Sequence, residues 1–529
     1  MAADAAPVQS SRAIVIAPTV AMAAFMEVLD ISIANVALQH IAGDMSASQD
    51  ESTWILTSYL VTNAIVLPVS GWLSSVMGRK NFFLACIVGF TASSALCGLA
   101  PSLELLVFFR AVQGLTGGGL QPSAQAILTD AFPPAKRGMA FALYGMSVVF
   151  APAIGPTLGG WITDTASWRW VFLINVPVGV ILFFAVSAVV RDSPQLIAAR
   201  KVKLAEGLRV DYIGFALLAI GLGFAQVVLD RGQEDDWFES AFILWLTIGS
   251  IAGLVAFVYW ELRQSDPIVD LRLLGQRNFA ISNVLMLFLG FILLGSTVLI
   301  PLMVQSLMGY TATEAGLVIS PGGFAIIGML PIVGRLVGIV DLRVLIACGL
   351  SITGVSLLYM TNLDLQTDYN TFMLVRIGQA LGMAFLFIPI NTAAFLGLPM
   401  AKSSNASAII NLSRNLGGSF GIALVATVLS RRAQVHQNFL VEHVAPGNPA
   451  YDTTIAHMQQ VFAIHGSAAG KALAQAQTML YGMLQAQANM LAFIDDFRLL
   501  GVLFILMIPV AFLMREGAAP RTGAAGGAH

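Results

Sequence analysis

Two acids near the start of the chain, Glu27 and Asp30, are the residues whose chemistry most demands a role. They stand three apart on one helical face, inside the apolar window 14–38, where a carboxylate is costly unless it is paired or protonated. An acid held there can take up and release protons as its surroundings change. Arg110, inside the apolar window 104–131, is the natural partner. Asp30 lies about 16 residues, roughly 24 Å, along its window, and Arg110 about 6 residues, roughly 9 Å, along a window running the other way, so the two fall at similar depth. A static buried ion pair is the plainer alternative. The mobile proton site is favoured, because an ion pair kept only for structure stabilises poorly.

Other reactive residue types point nowhere comparable. Cys86, Cys97 and Cys348 lie in apolar runs without metal-ligand spacing and read as packing residues. His436, His443, His457 and His465 fit no metal motif and read as solvated. There is no nucleophile–base pairing, zinc motif or phosphate-binding glycine loop, so an enzyme is not expected, and neither is a cofactor. A formal charge of −2 with no basic tract argues against nucleic acid as a partner.

The elements that must position these residues are membrane helices. Of 529 residues, 57% are hydrophobic and 11% charged, against roughly 25% charged in soluble domains, and the mean hydropathy is +0.81. Apolar windows recur at 14–38, 53–76, 82–100, 104–131, 139–163, 169–190, 211–229, 240–260, 279–305, 314–338, 343–361, 370–397, 405–429 and 492–514, predicting about fourteen spans. The first is too long, and too acidic, for a removable signal. Lys and Arg concentrate in alternate connections, among them Arg79, Lys80, Lys136, Arg137, Arg191, Arg200, Lys201, Lys203 and Arg209, which puts both termini in the cytoplasm. Arg110-Ala-Val-Gln113 recurs as Arg376-Ile-Gly-Gln379, and Gly155 corresponds to Gly421, at one shared offset of 266 residues, so the chain reads as two repeats. The expected organisation is a cytoplasmic N-terminus (1–13), a six-helix bundle (14–190), a linker with two extra helices (191–278), a second six-helix bundle (279–514) and a cytoplasmic tail (515–529). Residues 430–490 leave the membrane on the outer side and form a candidate docking surface, helical over 468–490.

Several strings together resemble the major facilitator superfamily, in particular its fourteen-helix drug:proton antiporters of EmrB/QacA type, and most of all the EmrB members. They are LDISIANVAL from Leu29, GWLSSVMGRK from Gly71, RAVQG from Arg110, PPAKRG from Pro133, GPTLGG from Gly155 and WRWVFLINVPVG from Trp168. The resemblance implies a proton-coupled exporter of hydrophobic or amphiphilic compounds in the bacterial inner membrane. It also implies a periplasmic adaptor of EmrA type (a membrane fusion protein) and an outer-membrane channel as partners. Asp30 would then be the protonation site, with Glu27 an additional acid and Arg110 its charge partner. Gly71, Gly78, Arg79 and Lys80 would form the conformational motif, where Ser75 replaces the acid common in the family. Gly155, Pro156, Gly159 and Gly160 would seal the two halves. Gln113, Arg376, Asn411, Arg414 and Asn415 would line the substrate cavity, the last three because Asn411, Arg414 and Asn415 share a helix face. Interhelical hydrogen bonding without substrate contact is the alternative for that face. A dedicated fatty-acid, siderophore or metabolite exporter is the runner-up. A membrane-embedded enzyme and a non-transporting receptor are the competing classes.

Overall fold

The computed structural model describes residues 10–133, 136–205, 210–265, 267–399, 402–444, 447–465 and 468–515. The end segments assigned above to the tails therefore lie largely outside the described residues, as do Arg209 and the centre of the PPAKRG turn. Every regular element described is helical. The first half comprises α1 (Ser10–Asp44), α2 (Gln49–Met77), α3 (Arg79–Gly98), α4 (Leu103–Gly117), α5 (Leu120–Ala131), α6 (Arg137–Thr165), α7 (Arg169–Leu173) and α8 (Asn175–Val189). The linker supplies α9 (Pro194–Ala205), α10 (Tyr212–Arg231) and α11 (Ala241–Arg263). The second half comprises α12 (Arg277–Met308), α13 (Ala312–Leu336), α14 (Leu342–Tyr359), α15 (Tyr369–Ala394), α16 (Ser403–His443), α17 (Pro449–Ile464), α18 (Ala469–Leu506) and α19 (Ile508–Phe512).

Each of the fourteen apolar windows falls on helix, yet eleven described helices are long and apolar enough to span a membrane, or twelve with the bent α6. The expected fourteen is therefore not reached by length and composition. Window 104–131 is divided at Gly118–Gly119 into α4 and α5, each under 18 residues. Window 492–514 opens on Asp495, Asp496 and Arg498 and is itself broken between α18 and α19. The 45° bend in α6 separates Arg137–Pro152 from Ile154–Thr165, where Pro152 and Pro156 remove backbone donors.

The repeat is visible in packing. α1 lies along α6 as α12 lies along α16, and α4 sits between α2 and α3 as α15 sits between α13 and α14. Gly155 presses on Ser32 of α1, and its counterpart Gly421 on the backbone of Phe291 in α12; at both, the missing side chain lets helices approach closely. Gln125 donates to Asn391 (3.1 Å), its own equivalent 266 residues on, so matching positions of the two repeats meet at the centre.

The stretch expected to be a loop between spans 13 and 14 is mostly helix. α16 has 41 residues and α18 has 38, or roughly 60 Å each, against a hydrocarbon core of about 30 Å. Both extend beyond the bundle on the face opposite the Arg79–Lys80 connection, and α17 packs on α18. At the base of this projection Asp495 of α18 binds Arg432 Nε (2.5 Å) and His436 Nε2 (2.8 Å) of α16. Further out, Leu440, Val444, Leu480, Met483 and Leu484 line an apolar groove of about 600 Å³.

Candidate functional site

Asp30 and Arg110 meet in the interior of the first half, both fully buried. Arg110 Nη1 donates to Asp30 Oδ2 at 2.6 Å and to Gln113 Oε1 at 2.7 Å. Asp30 Oδ1 accepts from Gln113 Nε2 (3.1 Å) and from Asn175 Nδ2 (2.7 Å), and Asn175 also donates to Ser94 Oγ (3.1 Å). The guanidinium is further held by its Nε on the Ile55 carbonyl (3.2 Å) and lies over the Tyr59 ring at 4.4 Å. Four helices, α1, α4, α8 and α2, thus converge on one carboxylate. Gln113, expected in the cavity wall, is instead part of this cluster.

Glu27 points to different company. Its Oε1 accepts from Asn63 of α2 (3.0 Å), its Oε2 has no hydrogen-bond partner, and Gln121 and Arg414 lie within electrostatic reach. Arg414 Nη2 donates to Gln121, and Asn411 Nδ2 to Gln125 Oε1 (2.7 Å), both acceptors being on α5 of the other half. Asn415 accepts weakly from Arg414 (3.4 Å). The Asn411–Arg414–Asn415 face therefore stitches α16 to the first half.

Arg376 occupies the place in the second repeat that Arg110 holds in the first, and Gln379 that of Gln113. Arg376 Nη1 donates to Gln379 Oε1 at 2.6 Å, reproducing the Arg110–Gln113 geometry. The same offset carries Asp30 onto Ser296, whose hydroxyl accepts from Arg376 Nη1 at 3.5 Å. The second cluster is thus a copy of the first without its acid. Arg376 is 5% exposed, its Nε has no hydrogen-bond partner, and no carboxylate pairs with it among the described residues.

The glycine motifs divide differently from expectation. Gly155 and Gly159 pack on Ser32 and Ile33 of α1, inside one half, Pro156 is half-buried, and a side chain at Gly160 would meet open space. Gly155 and Gly159 thus pack within the first half, while other residues of the same helix meet α13 of the second half, Thr157 against Gly316 and Gly138 against Gly334. The other motif joins the halves at the opposite end. A Cβ on Gly71 would come within 2.9 Å of Asn405 Cα in α16, and Gly78 has φ +89°, open to glycine. Arg79 pairs with Asp130 of α5 and donates to Ser403 Oγ of α16 (2.9 Å), while Lys80 Nζ donates to the Ser187 carbonyl (2.6 Å). Asp130 was not singled out from the sequence; it supplies the counter-charge to Arg79. At this face the two halves are closed on each other.

Two repeated helical halves closed at one face, with a buried acid–arginine cluster in one of them, are the architecture of a transporter of the major facilitator class. The chain belongs to the Major Facilitator Superfamily, whose family model matches residues 20–422. It is 37% identical over 501 residues to the multidrug export protein EmrB of Haemophilus influenzae, covering 94% of this chain and 96% of that one. It is 34% identical over 531 residues to the fatty acid resistance protein FarB of Neisseria gonorrhoeae, covering 99% and 100%. Its fold is shared with the proton:xylose symporter XylE in a structure bound to 6-bromo-6-deoxy-D-glucose, at TM-score 0.59, 14% identity and coverage of 94% and 95%. Family and fold are those of a multi-pass membrane transporter of the EmrB type.

Proposed function

We propose that the protein is a proton-coupled antiporter that exports hydrophobic and amphiphilic compounds by alternating access across the bacterial inner membrane. In this reading it has fourteen spans with both termini cytoplasmic, and it works in a tripartite system with a periplasmic membrane-fusion adaptor and an outer-membrane channel. The observation that carries the reading is the Asp30 cluster. An ionised Asp30 accepts from all three donors, Arg110, Gln113 and Asn175. A protonated carboxyl adds a donor of its own and cannot satisfy the same set, so proton arrival and the Arg110 pair compete. Competition of that kind links protonation to helix rearrangement. One proton moved across 100 mV supplies about 2.3 kcal/mol.

Export is supported by two relatives, a multidrug export protein and a fatty acid resistance protein. The adaptor is supported by the projection of α16, α17 and α18 and its apolar groove. A narrower reading, export of lipophilic acids, is favoured by Arg376, a buried cation without an acid. Purified protein in liposomes, given an imposed pH gradient and a panel of neutral, cationic and acidic amphiphiles, tests both. Transport indifferent to the gradient would end the proton-coupled reading.

A further inference from the structure

Comparison of the two repeats exposes donors that have lost their acceptor. In the first half Gln113 accepts from Arg110 Nη1 on Oε1 (2.7 Å) and turns its Nε2 onto Asp30 (3.1 Å), while Arg110 Nε donates to the Ile55 carbonyl (3.2 Å). In the second half Gln379 accepts from Arg376 Nη1 in the same way (2.6 Å), which fixes the amide and leaves its Nε2 without an acceptor among the described residues. Arg376 Nε is likewise unpartnered, and Pro321 stands at the position of Ile55. Ser296, at the position of Asp30, is too short to take the acid's part. Its hydroxyl donates to the Ile292 carbonyl (2.7 Å) and lies 3.5 Å from Arg376 Nη1. Gln379 and Ser296 are fully buried, and Arg376 nearly so.

A buried donor without an acceptor is a cost that native structures seldom carry, and two of them on one arginine–glutamine pair mark a place for an anion. In the first half the equivalent pair holds a carboxylate, and carboxylate oxygens suit a guanidinium beside an amide N–H. What the carboxylate is attached to follows from the surroundings. The cluster lies where α12, α13 and α15 meet, with Gly322 of α13 against the Arg376 side-chain stem, and Leu299, Ile300, Val375 and Ala380 of these helices are buried and apolar. A small inorganic anion gives up its water there at a cost the new bonds must offset, whereas an apolar chain gains by the same burial. We propose that the Arg376–Gln379–Ser296 cluster receives the carboxylate of an amphiphilic acid, which takes in the second repeat the place that Asp30 fills in the first. This rests on the exporter reading and deepens its narrower form, by assigning the atoms that hold the acid group.

The test measures equilibrium binding of radiolabelled dodecanoate to the full-length protein in detergent, in competition with dodecanol, dodecyltrimethylammonium, acetate or chloride. Wild-type protein should bind dodecanoate, and each competitor should be weaker by about tenfold or more, because both the charged hydrogen bonds and the chain are needed. Ser296→Asp restores the missing acid, occupies the donors from within and should weaken dodecanoate binding by about tenfold or more. Ser296→Asn, of the same size and uncharged, should weaken it less. Should Ser296→Asp fold poorly, Gln379→Met removes one open donor at similar volume and should cost about tenfold. Dodecanoate binding undiminished in these variants, equal losses in Ser296→Asp and Ser296→Asn, or competition by dodecanol, the cation, acetate or chloride as strong as that by unlabelled dodecanoate would each overturn the proposal. Binding is read without a gradient, so a failure of proton coupling leaves this site standing, and a working pump whose dodecanoate binding ignores Ser296 and Gln379 ends the site alone.

Discussion

At the scale of single residues, the two repeats differ by one substitution that matters. Asp30 gives the first half an acid with three donors, and Ser296 leaves Arg376 with neutral partners only. Asp30→Asn keeps shape and two of the hydrogen bonds but cannot exchange a proton, so gradient-driven transport in liposomes should vanish while membrane insertion persists. Glu27→Gln should be milder, because Glu27 accepts one hydrogen bond and stands apart from Arg110. Full gradient-driven activity in the Asp30 variant would remove the assignment. On charge alone Arg414 looks like the residue left for an anionic substrate, yet it is bonded to Gln121 with Glu27 in reach. The prediction therefore passes to Arg376. A hydrogen bond from a buried cation to a carboxylate is worth about 1.5–3 kcal/mol, so Arg376→Gln should cut transport of lipophilic acids about tenfold or more and that of neutral dyes far less. Equal losses for both would make Arg376 structural.

At the scale of elements, the projection is a helical assembly rather than a loose connection. Deleting Tyr451 to Gly482 removes α17 and the outer part of α18 while sparing the Arg432–Asp495 clamp at the base. Efflux across a whole envelope should fall, and transport in liposomes should stay near wild type; loss in both assays would make the segment a structural part of the pump. Much of this level was legible in the sequence. The windows mark every bundle helix because lipid-facing and core-facing positions are both apolar. The break between α4 and α5 was written in the Gly117-Gly118-Gly119 run, yet a hydropathy average passes over it. The length of α16 was not legible, since beyond residue 430 it is polar and no hydrophobic period marks it as helix. Asp130, Asn175 and Gln121 escaped notice for a different reason: each is an ordinary residue in a span, and only three-dimensional packing gives it a charged neighbour. Ser296 and Asn391 could have been found by extending the 266-residue offset from Asp30 and Gln125.

At the scale of the whole molecule, the halves are tied at the closed face by Arg79, Asp130 and Ser403, and at the centre by Gln125, Asn391 and Asn411. α16 takes part in both sets of contacts and then runs uninterrupted to His443. It is therefore a lever whose fulcrum lies near Arg414 and whose arm, about 29 residues or roughly 44 Å, runs out through the rest of the span and projects about 14 residues, roughly 21 Å, beyond it. Rocking of the second half by about 10°, comparable with other rigid-body switches, would sweep the tip by about 8 Å. Spin labels at Phe439, exposed on that arm, and at an exposed first-half site such as Asp164 should report this sweep as a distance that changes with substrate or pH, and a fixed distance would show the arm to be uncoupled. Under the proposed function, a partner docked on the arm would be moved as well as bound, and each transport cycle would deliver a mechanical stroke to it.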